Sequence, residues 1–190
     1  MNKKSLNIPM MLTYSRIFVV PVIMYFVSLD SLSGNILAAL FFILASISDY
    51  YDGYFARKLN MVSNMGKLMD PVADKIFITS VLILMIPKGI IHPIMVIVIL
   101  ARDTFIGGIR SVAAADNIVI DAKAAGKWKT ALQMVAIPAV LVGDFEYLSQ
   151  TIPVGKFGHA ILWIAVILSI ISGVQYYLAY LKSRSKSTGR

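Results

Sequence analysis

The sequence predicts an all-α membrane protein. Residues 1–190 form a single domain, a six-transmembrane-helix bundle with both termini cytoplasmic and a short interfacial N-terminal segment. Three observations predict this. The first is composition: 58% of residues are apolar, 15% are charged, and the mean hydropathy is +0.76. A soluble domain averages about 45–50% apolar and about 25% charged. The second is pattern. The stretches 12–29, 35–56, 68–86, 90–114, 128–148 and 157–181 are each long and apolar enough to cross a bilayer as a helix. They lack the alternation that a membrane β-barrel requires. The third is charge. Of eighteen Lys and Arg, twelve fall in 1–11, 57–67, 123–129 or the tail beyond Leu181, and only Lys88 and Lys156 lie in connections on the other side. Basic residues stay on the cytoplasmic face, so an even number of spans brings both ends there.

The elements follow in order. Asn2 to Met11 contains Pro9 and is expected to lie in the interface. Lys3 and Lys4 before an apolar run resemble a signal-peptide start, but Arg16 interrupts the run, so the first span is expected to be retained. Gly34, Pro93 and Pro153 punctuate connections. The second span ends in Asp49 and Asp52, and the third begins with Asp70, Asp74 and Lys75. The fourth carries Arg102, Asp103 and Arg110, and Lys127 and Lys129 open the fifth. A basic tail follows the sixth and suits anionic lipid. Cys is absent and there are two His, which excludes thiolate chemistry and leaves no basis for a multi-histidine metal site.

Four of the ten acidic residues carry the functional signal. Asp49 and Asp52 are three apart, and Asp70 and Asp74 are four apart, so each pair shares a helix face. Two adjacent antiparallel helices can aim all four carboxylates at one point. Carboxylates so placed must protonate or bind cations. An all-oxygen set selects hard ions, Mg²⁺ first, then Mn²⁺ or Ca²⁺. Two such ions suit a phosphate substrate. Gly53 and Ala56 clear space beside the carboxylates or serve helix packing.

The run D-x-x-D-G-x-x-A-R, eight residues, then G-x-x-x-D-x-x-x-D is matched by Asp49, Asp52, Gly53, Ala56, Arg57, Gly66, Asp70 and Asp74. It resembles the signature of the CDP-alcohol phosphatidyltransferases, six-span enzymes that displace CMP from a CDP-linked substrate. The segments from Asn7 to Arg16, from Ala101 to Arg110 and from Gly126 to Met134 are similar to the bacterial phosphatidylglycerophosphate synthases of that family. The chain departs at Met10, where Asn is commoner, and at Asp103, where Glu is. The resemblance implies that Asp49, Asp52, Asp70 and Asp74 hold two metal ions, Mg²⁺ or Mn²⁺, with Asp74 doubling as the catalytic base. It implies that Asp52, Gly53, Ala56, Arg57 and Gly66 border the CDP donor. It further implies CDP-diacylglycerol as donor, sn-glycerol 3-phosphate as acceptor, a homodimer, and a place in the bacterial cytoplasmic membrane with the site facing the cytoplasm.

Arg110 lies in the depth band of the aspartates, and Lys127 and Lys129 border it. Together they are the candidate site for the acceptor phosphate, through charge-assisted hydrogen bonds. Positive-inside anchoring is the plainer reading of the two lysines. Arg102 and Asp103 are adjacent, diverge by about 100° on a helix, and are expected to pair with other helices. Lys75 is expected to trim the charge of Asp74, and Arg16 to contact a head group or another helix. Gly126-Lys127 fails as a phosphate-binding loop, because Asp121 and Trp128 stand where glycine and Ser/Thr are needed. His92 and His159 read as interface residues. Trp163, Tyr176, Tyr177, Tyr180, Gly107, Gly108, Ser169 and Gly173 read as packing or belt positions.

Three alternatives stay open. One is the same chemistry with another acceptor: inositol phosphate, serine or phosphatidylglycerol. Another is a divalent-cation transporter, which also needs intramembrane carboxylates but usually shows paired repeats that are absent here. The last is a non-catalytic membrane protein, which has no need of the carboxylate geometry.

Overall fold

The computed structural model describes the backbone of residues 8–58, 64–116, 118, 124–143 and 153–188, and the side chains of 16–48, 72–116, 118, 124–143 and 153–185. Among the described residues there are six helices and no strand: α1 (Ile8–Ser28), α2 (Leu32–Lys58), α3 (Asn64–Met85), α4 (Pro93–Ala115), α5 (Ala124–Gly143) and α6 (Val154–Thr188). Each contains most of one expected span. Helix α6 is long and apolar enough to cross a membrane, with a mean hydropathy of 2.1 over its most apolar window.

Cross-helix contacts set the directions. Arg16 of α1 meets Asp74 of α3, and Asp30 just past α1 meets Lys88 just past α3, so α1 and α3 run parallel. Asn35 near the start of α2 donates to the Leu141 carbonyl near the end of α5, at 2.9 Å. Arg102 and Arg110 of α4 meet Ser172 and Tyr176 of α6, in the same order along both helices. Helices α1, α3 and α5 therefore point one way and α2, α4 and α6 the other. The last turns of α2 and the first turns of α3 share one end of the bundle.

The core explains why this arrangement holds. Val20, Ile23, Phe42, Phe77, Leu82, Met95, Ile137 and Leu162 are all buried in one cluster drawn from all six helices. Phe42 and Phe77 stack at 4.8 Å and join α2 to α3, while α1 packs on both. At the far end α5 and α6 approach closely. A Cβ on Gly158 would lie 2.7 Å from Val140 Cγ2, and one on Gly155 would lie 2.5 Å from the Gly143 carbonyl oxygen. Small residues at a crossing let helices approach to this distance.

The ends are locally determined. Ile90 N donates to the Met85 carbonyl at 3.1 Å, and Gly89 N to that of Ile86 at 2.9 Å. This is the six-to-one and five-to-two pairing of a Schellman cap, and Gly89 supplies its left-handed residue at φ 72°. Pro93 opens α4 behind His92, whose Nδ1 accepts from the Ile94 N–H at 3.2 Å. His92 is thus a helix cap. Gly34 is not a breaker. It sits in the first turn of α2, where a Cβ would lie 2.5 Å from the Phe26 carbonyl oxygen. Ile8 to Met11, the end of the expected interfacial segment, form the first turn of α1. Pro9 is accommodated there because first-turn N–H groups have no intrahelical partner.

Candidate functional site

Near the α2/α3 end, a cavity of about 380 Å³ opens between α3, α4, α5 and α6. Its wall carries five cationic side chains, Lys75, Arg102, Arg110, Lys127 and Lys129, against two carboxylates, Asp74 and Asp103. Helix packing puts them there. Asp74 and Lys75 come from the third turn of α3, and Asp103 and Arg110 lie two turns apart on α4. Lys127 and Lys129 come from the first two turns of α5.

Asp103 organises the cations. Lys129 Nζ donates to both its carboxylate oxygens, at 2.5 Å to Oδ1 and 2.7 Å to Oδ2. Arg102 Nη1 donates to Oδ1 at 2.9 Å. Arg102 Nη2 donates to Ser172 Oγ on α6, also at 2.9 Å, and the Ser172 hydroxyl donates in turn to the Ser169 carbonyl at 3.1 Å. Lys75 Nζ donates to the Asp103 main-chain carbonyl at 2.8 Å. One residue on α4 thus ties down α3 and α5 and steadies an arginine that reaches α6.

Two glycines make room for Arg102. A Cβ on Gly173 would stand 3.2 Å from its Cγ, and one on Gly126 would stand 3.5 Å from Nη2. Gly107 clears the path of Lys75, whose Nζ would lie 2.9 Å from a Cβ there.

Several expectations need correction. Arg102 and Asp103 pair with each other as well as with neighbouring helices, because a guanidinium on its long stem reaches round the 100° divergence. Lys75 turns to the Asp103 carbonyl, while Asp74 is held by Arg16 of α1. Arg16 therefore makes an inter-helix contact, and it is buried. Lys129 is no solvated anchor: it is 3% exposed. Tyr176 packs as expected, in a buried cluster with Ile106, Ile109, Ala113 and Tyr180, and it also lines the cavity with its ring 5.4 Å from the Arg110 guanidinium. Gln133, Thr79, Thr130 and Ser172 also line it and were not singled out as site residues.

Asp49 and Asp52 lie on the last three turns of α2, and Asp70 on the second turn of α3. Both helices run unbroken through these positions, so the three- and four-residue spacings do place each pair on one helix face. The side chains of Asp49, Asp52, Gly53, Ala56, Arg57, Gly66 and Asp70 lie outside the described residues. Of the four aspartates, Asp74 is the one described in full. It is 41% exposed, with Oδ1 taken by Arg16.

The sequence profile of the CDP-alcohol phosphatidyltransferases matches residues 6–171. The chain belongs to this family. It is similar to curated relatives of closely matching length. A CDP-diacylglycerol–glycerol-3-phosphate 3-phosphatidyltransferase of Rickettsia bellii is 39% identical over 91% of this chain and 94% of its own. One of Bacillus subtilis is 34% identical over 90% and 93%. The corresponding isoform 2 of Arabidopsis thaliana is 31% identical over 93% and 80%. The family match spans all four aspartates and the five cationic residues of the cavity, and ends before Ser172 and Tyr176.

Proposed function

We propose that this protein transfers the phosphatidyl group of CDP-diacylglycerol to sn-glycerol 3-phosphate, releasing CMP and forming phosphatidylglycerophosphate. The observation that carries the reading is the cationic cavity opening beside Asp74. It offers a phosphate-bearing acceptor several charged donors next to a carboxylate able to take a proton. Relatives bearing that activity in their names, similar over nine-tenths of this chain, support the same reading.

In this mechanism Arg110, Lys127 and Lys129 hold the acceptor phosphate. Arg16 fixes one oxygen of Asp74, and the other accepts the proton of the acceptor hydroxyl. The freed oxygen attacks the phosphorus on the diacylglycerol side, the bond to the CMP phosphate breaks, and CMP leaves. Asp49, Asp52, Asp70 and Asp74 would hold two divalent ions, Mg²⁺ or Mn²⁺. The fit rests on donor chemistry: four carboxylates on two helix ends at one end of the bundle offer only oxygen, which hard cations prefer. Bound there, the ions supply charge neutralisation for the diphosphate. Gly53, Ala56, Arg57 and Gly66 belong to the donor side of the same proposal.

The bundle belongs in a membrane, with the cavity on the cytoplasmic side. Phe18, Leu40, Ile97, Val135, Ile167 and Leu178 are exposed around its flanks, as lipid-facing residues are. An excess of cations in the cavity opposes the passage of a divalent cation, which tells against a transporter.

The test uses purified protein with CDP-diacylglycerol, Mg²⁺ and a panel of acceptors, reading both CMP and lipid product, with ion flux measured in proteoliposomes. The expected result is CMP release dependent on glycerol 3-phosphate and no flux. Release that is equal with serine or inositol phosphate would remove the acceptor assignment.

A further inference from the structure

Thr79, Thr130 and Gln133 are the polar residues of the cavity wall that neither the ion network nor the proposed chemistry uses; the two threonine hydroxyls donate to carbonyls of their own helices, which leaves Gln133. It is 1% exposed, and its Nε2 has no hydrogen-bond partner among the described residues. A buried amide proton without a partner costs about 1–3 kcal/mol. Such a group persists where a bound molecule satisfies it.

Its place in the cavity indicates what that molecule offers. On α4 the wall steps inward from Arg110 through Asp103 to Ile99, on α5 from Lys127 through Lys129 to Gln133, and on α3 from Asp74 to Thr79. Because α4 runs opposite to α3 and α5, Ile99, Gln133 and Thr79 are the inward ends of these three runs. Gln133 is one turn, about 6 Å, beyond Lys129 on the same face of α5. A phosphate bound at Lys129 therefore leaves the next atoms of the acceptor beside the amide. The group that fits there is a hydroxyl. It accepts from Nε2 and equally donates to the amide oxygen, whereas a methylene does neither.

We infer that Gln133 determines acceptor specificity, by hydrogen-bonding a hydroxyl of the acceptor that does not react. The acceptor class is then a phosphorylated polyol with a spare hydroxyl next to its reacting one. This rests on the phosphatidyl-transfer reading and deepens it.

The experiment compares two acceptors on the full chain with CDP-diacylglycerol and Mg²⁺. One is sn-glycerol 3-phosphate. The other is its 2-deoxy analogue, propanediol monophosphate, which keeps the phosphate and a primary hydroxyl. Wild type is expected to favour glycerol 3-phosphate in kcat/KM by about 5- to 150-fold, the factor equivalent to leaving one buried donor unsatisfied. In Gln133→Met, of similar shape and without the amide, that ratio falls toward one, mostly through loss on glycerol 3-phosphate. Gln133→Asn, which keeps the amide on a shorter stem, gives an intermediate ratio. A wild type without preference overturns the inference before any variant is made. A Gln133→Met ratio equal to that of wild type, with CMP still released, overturns the role of Gln133 alone. No CMP release with either acceptor overturns the reaction, and the inference with it.

Discussion

Removing the Asp103 carboxylate should destabilise the bundle more than removing the whole ion pair. In Asp103→Ala, Lys129 loses the acceptor of two short hydrogen bonds while remaining 3% exposed. Arg102 keeps Ser172, so the stranded charge is the ammonium. Breaking a buried pair by deleting one partner costs about 3–5 kcal/mol. At roughly 2–4 °C per kcal/mol for a chain of this size, Tm should fall by about 6–20 °C. Replacing both partners, Asp103→Ala with Lys129→Met, should recover most of that loss, because the buried ammonium leaves with its counter-ion and Arg102 keeps its bond to Ser172. Inorganic phosphate should raise the Tm of Asp103→Ala more than that of wild type, since it supplies the missing negative charge. The assay is thermal unfolding in detergent followed by circular dichroism, with and without phosphate. A single variant that melts with wild type, or a double variant less stable than the single, would refute the claim that Asp103 is the counter-ion of Lys129.

The remaining predictions concern turnover. Stripping divalent metal with excess EDTA should reduce CMP release to background, and Asp49→Asn, Asp52→Asn and Asp70→Asn should each lose most activity while still inserting. Full release in the chelator would remove the metal from the mechanism. Arg110→Ala should cut kcat/KM for glycerol 3-phosphate by about 10- to 150-fold, the equivalent of one charge-assisted hydrogen bond at about 1.5–3 kcal/mol. The loss should fall mainly on KM, with CDP-diacylglycerol binding little changed; an unaltered acceptor KM would mean the phosphate binds elsewhere. Arg16→Met should lower kcat more than acceptor KM, because Arg16 touches Asp74 and does not line the cavity. Equal kcat in variant and wild type would show that Asp74 needs no such support.

How much of this was legible in the sequence depended on the range of the interaction. Apolar length located all six helices, and the aspartate spacing placed each carboxylate pair on one helix face, because both are properties of a single helix. The Asp103–Lys129 pair joins residues on different helices whose relative rotation is set by packing, so sequence offered only two charges in neighbouring spans. Helical divergence argued against an Arg102–Asp103 contact because it considers Cβ directions and ignores a long, flexible stem. Gly173 reads as an ordinary small packing residue and Gly126 as part of a failed phosphate loop, and what both face is a guanidinium. The capping role of His92 had a faint signal in Pro93 following it, but His is not among the favoured caps. Gln133 carried no signal beyond its place in the 126–134 segment that resembles the family, since one glutamine in an apolar span can turn to any neighbour.

The network also ranks the cations of the proposed acceptor site. An ammonium has three protons, and Lys129 commits two of them to Asp103, which leaves one for a ligand. Arg102 spends one terminal nitrogen on Asp103 and the other on Ser172, and it is wedged by Gly173. Arg110 is exposed at the cavity mouth, with its guanidinium over the Tyr176 ring and its planar fork available for two parallel bonds. Arg110 is therefore the principal phosphate ligand in this scheme, and Lys129 a fixed secondary one. The balance of charge favours the same acceptor. Five cations against two carboxylates leave a positive excess that a phosphate dianion offsets and a neutral alcohol does not. In a cavity partly shielded from water, that difference in charge outweighs differences in shape among alcohols of similar size. The cations thus select for the phosphate, and what remains for Gln133 is to choose among the acceptors that carry one.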